Sequence, residues 1–158
     1  AKHKMAAPYY QPIQLEDTPL VAEDKSKIWI VSGEYKGTKG PAPTYSPQLL
    51  LRGELQKDGA VQIPVPATYN VLVYVLEGSI KTTGGQLLTK DMGIYQLDGD
   101  TIDLTATADT RYIVLSGEPI NEPVAQYGPF VMSNQTELME AVRDAQQGKM
   151  GILIEEFD

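Results

Sequence analysis

A chain of 158 residues, 42% hydrophobic and 22% charged, can bury one good core and is short for two. It has no apolar run near the ~18 residues of a membrane span, and without cysteine it has no disulfide frame, thiolate nucleophile or zinc–thiolate site. A net charge of −8, with lysines scattered as Lys2 and Lys4, Lys25 and Lys27, Lys36 and Lys39, gives no basic footprint for nucleic acid.

Residues 1–20 carry Pro8, Pro12 and Pro19 and little periodicity, so they read as an extended arm or linker from a preceding domain. The start Ala1-Lys2-His3-Lys4-Met5 has no apolar segment behind it, so no secretory leader is expected and the expected compartment is the cytoplasm. Lys27 to Gly33 is short, apolar and β-branched, hence a strand, and Tyr35 to Pro43 reads as loop. Gln48 to Leu55 puts Leu49, Leu51 and Leu55 on one face and Arg52 and Glu54 on the other. Asp58-Gly59 is a turn, followed at period two by Val61 and Ile63.

Asn70 to Gly78 is apolar at every position from Val71 to Leu76, which predicts a strand covered on both faces, in the middle of a sandwich or under the arm. Ile80 to Thr83 and Gln86 to Thr89, joined by Gly84-Gly85, form a hairpin. Gly93 to Leu97 and Thr101 to Ala106 flank the turn Asp98-Gly99, and Arg111 to Ser116 closes the series. About nine short strands, with turn signals every ~8–12 residues, are the pattern of an all-β sandwich or barrel. Beyond Ser116 the prolines at 119, 123 and 129 describe an extended arm.

One helix is expected near 134–147. Asn134 caps the Glu137 N–H, Glu137 reaches back as in a capping box, and Gly148 stops it. Leu138, Ala141, Val142 and Ala145 make a narrow apolar stripe, and Ile152-Leu153-Ile154 adds a second apolar patch. The organisation expected is an arm over 1–20, a β-sandwich over 21–132, and the helix and tail over 133–158.

Several strings, in order, resemble the C-terminal half of the pirin family. They are Ala1-Lys2-His3-Lys4-Met5 with Pro8-Tyr9-Tyr10-Gln11, then Val31-Ser32-Gly33-Glu34, then Tyr74-Val75-Leu76-Glu77-Gly78. Last come Ser116-Gly117-Glu118-Pro119, Glu122-Pro123-Val124 and Gly128-Pro129-Phe130-Val131-Met132. The resemblance implies a bicupin in which each half is an antiparallel double-sheet jelly roll. It also implies an N-terminal cupin holding a non-haem iron on three histidines and a glutamate. Members are described as nuclear cofactors of transcription or as quercetin 2,3-dioxygenases. This chain then looks like the second, degenerate cupin, entered at the linker, with the iron-bearing domain as its partner.

A cupin metal site needs His-x-His ahead of the Tyr74–Gly78 strand, a glutamate close behind, and a third histidine near the next strand pair. By spacing to Gly78 these positions fall on Pro64-Val65-Pro66, on or near Asn70, and around Gly99 to Leu104, where only Asp100 and Asp103 stand. Proline has no ligand atom, and the only histidine, His3, lies in the arm. No catalytic, cofactor-binding or metal-ligating residue, and no cofactor, is therefore expected in this chain.

Other constellations reduce to structure. Asp98, Asp100 and Asp103 fit a solvated turn better than a calcium loop. Ser116 lacks a Gly-x-Ser-x-Gly elbow, and Gly84-Gly85 lacks a P-loop lysine. Tyr69, Tyr74, Tyr95 and Tyr112 suit a barrel core or mouth. A vestigial ligand pocket, and a share in the substrate entrance of a flavonol dioxygenase, are the alternatives. The two ends are expected to support self-association or to meet a protein partner in regulation.

Overall fold

The structure, a computed structural model, describes residues 2–7 and 9–151. The tail patch at Ile152-Leu153-Ile154 lies outside the described residues. The chain forms two compact units: Ala7–Pro119, and the residues up to Ala6 together with those from Ile120 onward. The first unit ends at Pro119, and after Ile120 the chain pairs with itself and packs with the helix.

The first unit is an antiparallel double-sheet sandwich. Its strands are β1 (Leu20–Glu23), β2 (Ser26–Ser32), β3 (Glu34–Tyr35), β4 (Thr38–Lys39), β5 (Gln48–Leu55), β6 (Ala60–Pro64) and β7 (Asn70–Glu77), then β8 (Ser79–Thr82), β9 (Gly85–Leu88), β10 (Met92–Ile94), β11 (Thr101–Ala106) and β12 (Thr110–Gly117). One sheet runs β1-β2-β5-β12-β7-β10 and the other β6-β11-β8-β9, while β3 and β4 form a small hairpin of their own. The alternating strands are as read: β5 and β11 bury every second residue. The loop expected at Tyr35–Pro43 contains the β3–β4 hairpin, whose turn is made by Lys36 and Gly37 at positive φ. The arm expected over 1–20 carries a 3₁₀ turn at Leu15–Asp17, and Leu20 already pairs with Trp29.

Register makes the two faces of the six-stranded sheet explicit. Inward rows stack Ile28, Gly53, Tyr112 and Val75, then Ile30, Leu51, Val114 and Val73. They meet Val61, Ile63, Ile80, Ile102, Leu104 and Ala106 of the other sheet in one buried core. The outward rows are also mainly apolar. Leu20, Trp29, Arg52, Ile113, Tyr74 and Met92 lie side by side across all six strands, and Leu50, Leu115, Leu72 and Ile94 form the next row. The outer face of the four-stranded sheet is polar instead, with Gln62 beside Asp103 and Thr105 beside Lys81.

The strand apolar at every position, β7, lies between β12 and the edge strand β10, and it is covered more fully on one face than on the other. Its inward residues Val71, Val73 and Val75 are buried, but Leu72 and Tyr74 are only half-buried and Leu76 is 40% exposed. Its end is fixed by Gly78, where φ is +84° and a Cβ would stand 2.2 Å from the Asp109 carbonyl oxygen.

In the second unit, the stretch read as an extended arm folds into a hairpin, β13 (Ala125–Tyr127) with β14 (Phe130–Met132). The turn is made by Gly128, at φ +54°, and Pro129. Helix α1 (Gln135–Gln146) packs on both strands and buries Leu138 and Ala141. Asn134 Oδ1 accepts from the Glu137 N–H at 2.9 Å. The Glu137 carboxylate accepts from the Ser133 N–H at 3.2 Å, one residue earlier than a capping box requires.

Lys4 donates to Ser133 Oγ at 3.2 Å and pairs with Glu137. The beginning of the chain is thus tied to the start of the helix.

Candidate functional site

The place to test for chemistry is the mouth of the sandwich where β6 ends and β7 begins. Pro64 closes β6 and is paired with Thr101, and Asn70 opens β7 and is paired with Gly117. Val65 donates its N–H to the Asp100 carbonyl at 2.9 Å, so β6 and β11 remain zipped to this point.

Side-chain direction decides which residues face the interior. Ile63 and Val65 are buried, whereas Pro64 and Pro66 are exposed. Val71 is buried and Asn70 exposed; Ile102 and Leu104 are buried, and Asp100 and Asp103 exposed. The positions assigned by spacing to Gly78 therefore stand on the outer face, and the interior positions are their neighbours. The reason is the period of a strand: an error of one residue turns a side chain through the sheet.

The inner wall at this mouth is thus Ile63, Val65, Val71 and Ile102, none with a donor atom for a metal. Among the described residues no group of three His, Cys, Asp or Glu side chains could hold a metal ion. His3 lies in the other unit. The residues present do not fit a cupin metal.

The interior further along is filled. Tyr112 is fully buried, and its ring covers Gly53 so closely that a Cβ there would stand 2.1 Å from Tyr112 Cζ. Burial pushes the Tyr112 phenol far above its ordinary range. Its hydroxyl and Ser116 Oγ are buried without a hydrogen-bond partner. Tyr35 is also buried, with the Lys36 ammonium 5.5 Å from its ring centre, and burial raises its phenol too. Tyr95 packs against the core from β10's end, and burial raises its phenol. Tyr74 faces outward and Tyr69 lies at the mouth. The buried tyrosines are core residues held neutral.

Outside this mouth wall, an open cleft of about 430 Å³ is lined by Pro64, Pro66, Tyr69, Gln48, Glu34 and Lys39, among others. A second cleft of about the same volume, at the opposite end of the strands, is lined by Glu23, Lys25, Glu54, Glu77, Asp109 and Arg111, among others. Some of its charges are paired. Arg111 Nε donates to Glu77 at 2.9 Å, and Arg52 donates to Glu54 at 3.0 Å. Asp98, Asp100 and Asp103 do not converge: Asp103 accepts from Gln62 Nε2 at 2.7 Å, and Asp100 from Thr101 Oγ1 at 3.2 Å. No described helix is long and apolar enough to cross a membrane.

The fold has known counterparts. A crystal structure of a quercetin 2,3-dioxygenase from Acinetobacter baumannii superposes with a TM-score of 0.86 at 39% identity, covering 94% of this chain and 52% of that one. A pirin-like protein of Solanum lycopersicum is 33% identical over 159 residues, 96% of this chain and 53% of its own length. Pirin of Rattus norvegicus is 30% identical over 153 residues, 94% of this chain and 53% of its own length. The chain spans about half the length of the curated relatives it matches. The pirin C-terminal cupin domain family matches residues 50–151, and the chain belongs to that family.

Proposed function

We propose that this chain is a non-catalytic cupin domain that completes and covers a metal-bearing cupin of the same protein, in the cytoplasm. The observation that carries the reading is the inner wall at the sandwich mouth. Ile63, Val65, Val71 and Ile102 line it without a donor atom for a metal, and behind them Tyr112 fills the space over Gly53. The partner is suggested by length, since the relatives are about twice as long as their match to this chain. Iron, on this reading, belongs to that partner domain and not to this one.

A second reading gives the intact protein flavonol-cleaving activity, with this half shaping the substrate entrance. Its support is the similarity to the Acinetobacter baumannii quercetin 2,3-dioxygenase. The cleft beside Pro64, Pro66 and Tyr69 is where a small ligand would enter in that case.

Metal analysis of the purified chain, followed by a quercetin-cleavage assay with added iron, tests the first reading. The expected result is no stoichiometric metal and no turnover, because an open-site metal must activate the flavonol and oxygen. One tightly held ion per chain, or turnover that survives repurification, would overturn it.

A further inference from the structure

We infer that Asp98 is a site of spontaneous backbone modification. Its side chain closes onto the Gly99 nitrogen, and water reopens the ring to an isoaspartyl link.

The chemistry begins in the sequence, which has two Asp-Gly pairs, Asp58-Gly59 and Asp98-Gly99. Glycine has no Cβ to hinder attack by its backbone nitrogen on the aspartyl carboxyl carbon. A bond forms between the glycine nitrogen and the aspartate Cγ. The carboxyl hydroxyl leaves with the amide proton as water, and a five-membered cyclic imide remains. Hydrolysis at Cγ restores aspartate. Hydrolysis at the backbone carbonyl instead routes the chain through Cβ and Cγ, one carbon longer, and frees the old carbonyl as a carboxylate. Nothing is oxidised or reduced, and water is the only co-reactant.

The structure decides between the two pairs. Closure requires the aspartyl side chain to turn over its own peptide and the glycine nitrogen to give up its proton. Hydrogen bonds that fix the turn oppose both. Asp58-Gly59 is fixed in this way. The Asp58 N–H donates to the Ala106 carbonyl, the Gly59 N–H donates to the Gln56 carbonyl, and the Gly59 carbonyl accepts from the Ala106 N–H, each at 2.9 Å. Gly59 is buried, and a Cβ built on it would stand 2.8 Å from the Gln56 carbonyl oxygen. This turn must open locally from the end of β11 before it can react.

Asp98-Gly99 has no such frame. Both residues are exposed, between the end of β10 and the start of β11. A Cβ built on Gly99 meets nothing within 4 Å. Among the described residues, no hydrogen bond engages the Gly99 N–H or the Asp98 carboxylate.

The position gives the modification an effect. Residues 95–100 carry the chain from the six-stranded sheet to the four-stranded one. At one end the Tyr95 N–H donates to the Val71 carbonyl at 3.0 Å, and at the other the Asp100 carbonyl accepts from the Val65 N–H at 2.9 Å. An added backbone carbon and a displaced carboxylate between these anchors disturb the nearer one. That is the bond between Asp100 and Val65, which zips β6 to β11 at the sandwich mouth.

Incubation of the purified chain at neutral pH and physiological temperature tests this, followed by peptide mapping that separates aspartyl from isoaspartyl forms. Isoaspartate should accumulate at position 98 at least about tenfold faster than at position 58, which reacts only after local opening. In strong urea the two rates should converge. Gly99→Ala should suppress the product at 98 with an unchanged thermal midpoint, since the added methyl has room and Gly99 is not at positive φ. Asp98→Asn should accelerate it, because ammonia leaves a carboxamide more readily than water leaves an ionised carboxyl. Exchange of the Val65 amide should rise in the aged chain and stay constant in aged Gly99→Ala. Equal accumulation at 58 and 98 in the folded chain would overturn the inference, as would none at 98. A preference for 98 that persists in urea would assign the difference to sequence and overturn the role of the fold. Unchanged Val65 exchange in the modified chain would overturn the effect on the mouth.

Discussion

Gly53 and Tyr112 are cross-strand partners, and the Tyr112 ring lies where any side chain at position 53 would have to go. A Cβ built on Gly53 stands 2.1 Å from Tyr112 Cζ and 2.5 Å from the hydroxyl. Tyr112 is fully buried, so the ring cannot swing out to water. Gly53→Ala is expected to cost about 1–3 kcal/mol by overpacking, and Tyr112→Ala about 3–5 kcal/mol through the cavity it leaves. Tyr112→Phe should be near neutral or stabilising, because the hydroxyl has no hydrogen-bond partner to lose. Urea unfolding of the three variants checks the order. A Tyr112→Phe variant as unstable as Tyr112→Ala would mean that the hydroxyl is held by a group or a buried water.

The inner wall at the sandwich mouth makes a prediction about direction. Val65 is buried and Pro66 is exposed. Val65→Asp should destabilise by ~3 kcal/mol or more, since a carboxyl is placed among Ile63, Val71 and Ile102 with no partner. Pro66→Asp should cost no more than about 1 kcal/mol, mainly through the unfolded chain. Equal costs would mean that the strand runs in the other register.

These positions also show where the sequence is legible and where it is not. The strands Gln48–Leu55 and Thr101–Ala106 were readable to the residue, because alternation along them is the same pattern that burial selects. The face at Pro64–Pro66 was not. Counting back from Gly78 crosses the turn at Pro66–Tyr69, where no alternation carries the phase, and an error of one residue inverts the answer. The hairpin of β13 and β14 was hidden for another reason. Its strands are three residues each, and the prolines around them read as an arm, so only the turn at Gly128-Pro129 signalled the reversal. The apolar outer face was legible only in part. Val71 to Leu76 announced a two-sided strand, but that Leu115 and Ile94 flank Leu72, with Leu50 beyond Leu115, is a matter of register.

The helix start offers a test of capping without a full box. Asn134→Ala removes the bond to the Glu137 N–H and should cost about 1 kcal/mol in the stability of the second unit. Asn134→Asp should retain it, because the carboxylate accepts the same bond and favours the positive end of the helix. Far-UV ellipticity against temperature distinguishes them. If both variants melt together with the parent, packing of Leu138 and Ala141 on the hairpin carries the helix by itself.

The last prediction concerns acid. Glu137 sits at the helix start, and its carboxyl titrates below the ordinary glutamate range. The largest cause is the bond from Lys4; the Ser133 N–H and the Asn134 side chain act in the same direction, while desolvation opposes them. A depressed carboxylate stabilises the fold above its unfolded value, and that stabilisation is lost as pH falls through the folded value. The tie between Lys4 and the helix should therefore hold at neutral pH and open in acid, below the usual glutamate midpoint of about 4.3. Lys4→Met should raise the Glu137 midpoint towards that value, and salt should raise it in the parent, since the pair is exposed and screened. Carboxyl-carbon NMR of Glu137 across the acid range reads all three. An unchanged midpoint in Lys4→Met would show that the helix start alone, through Ser133 and the dipole, depresses it. The segment before Ala6 would then be tied to the second unit by something other than this pair.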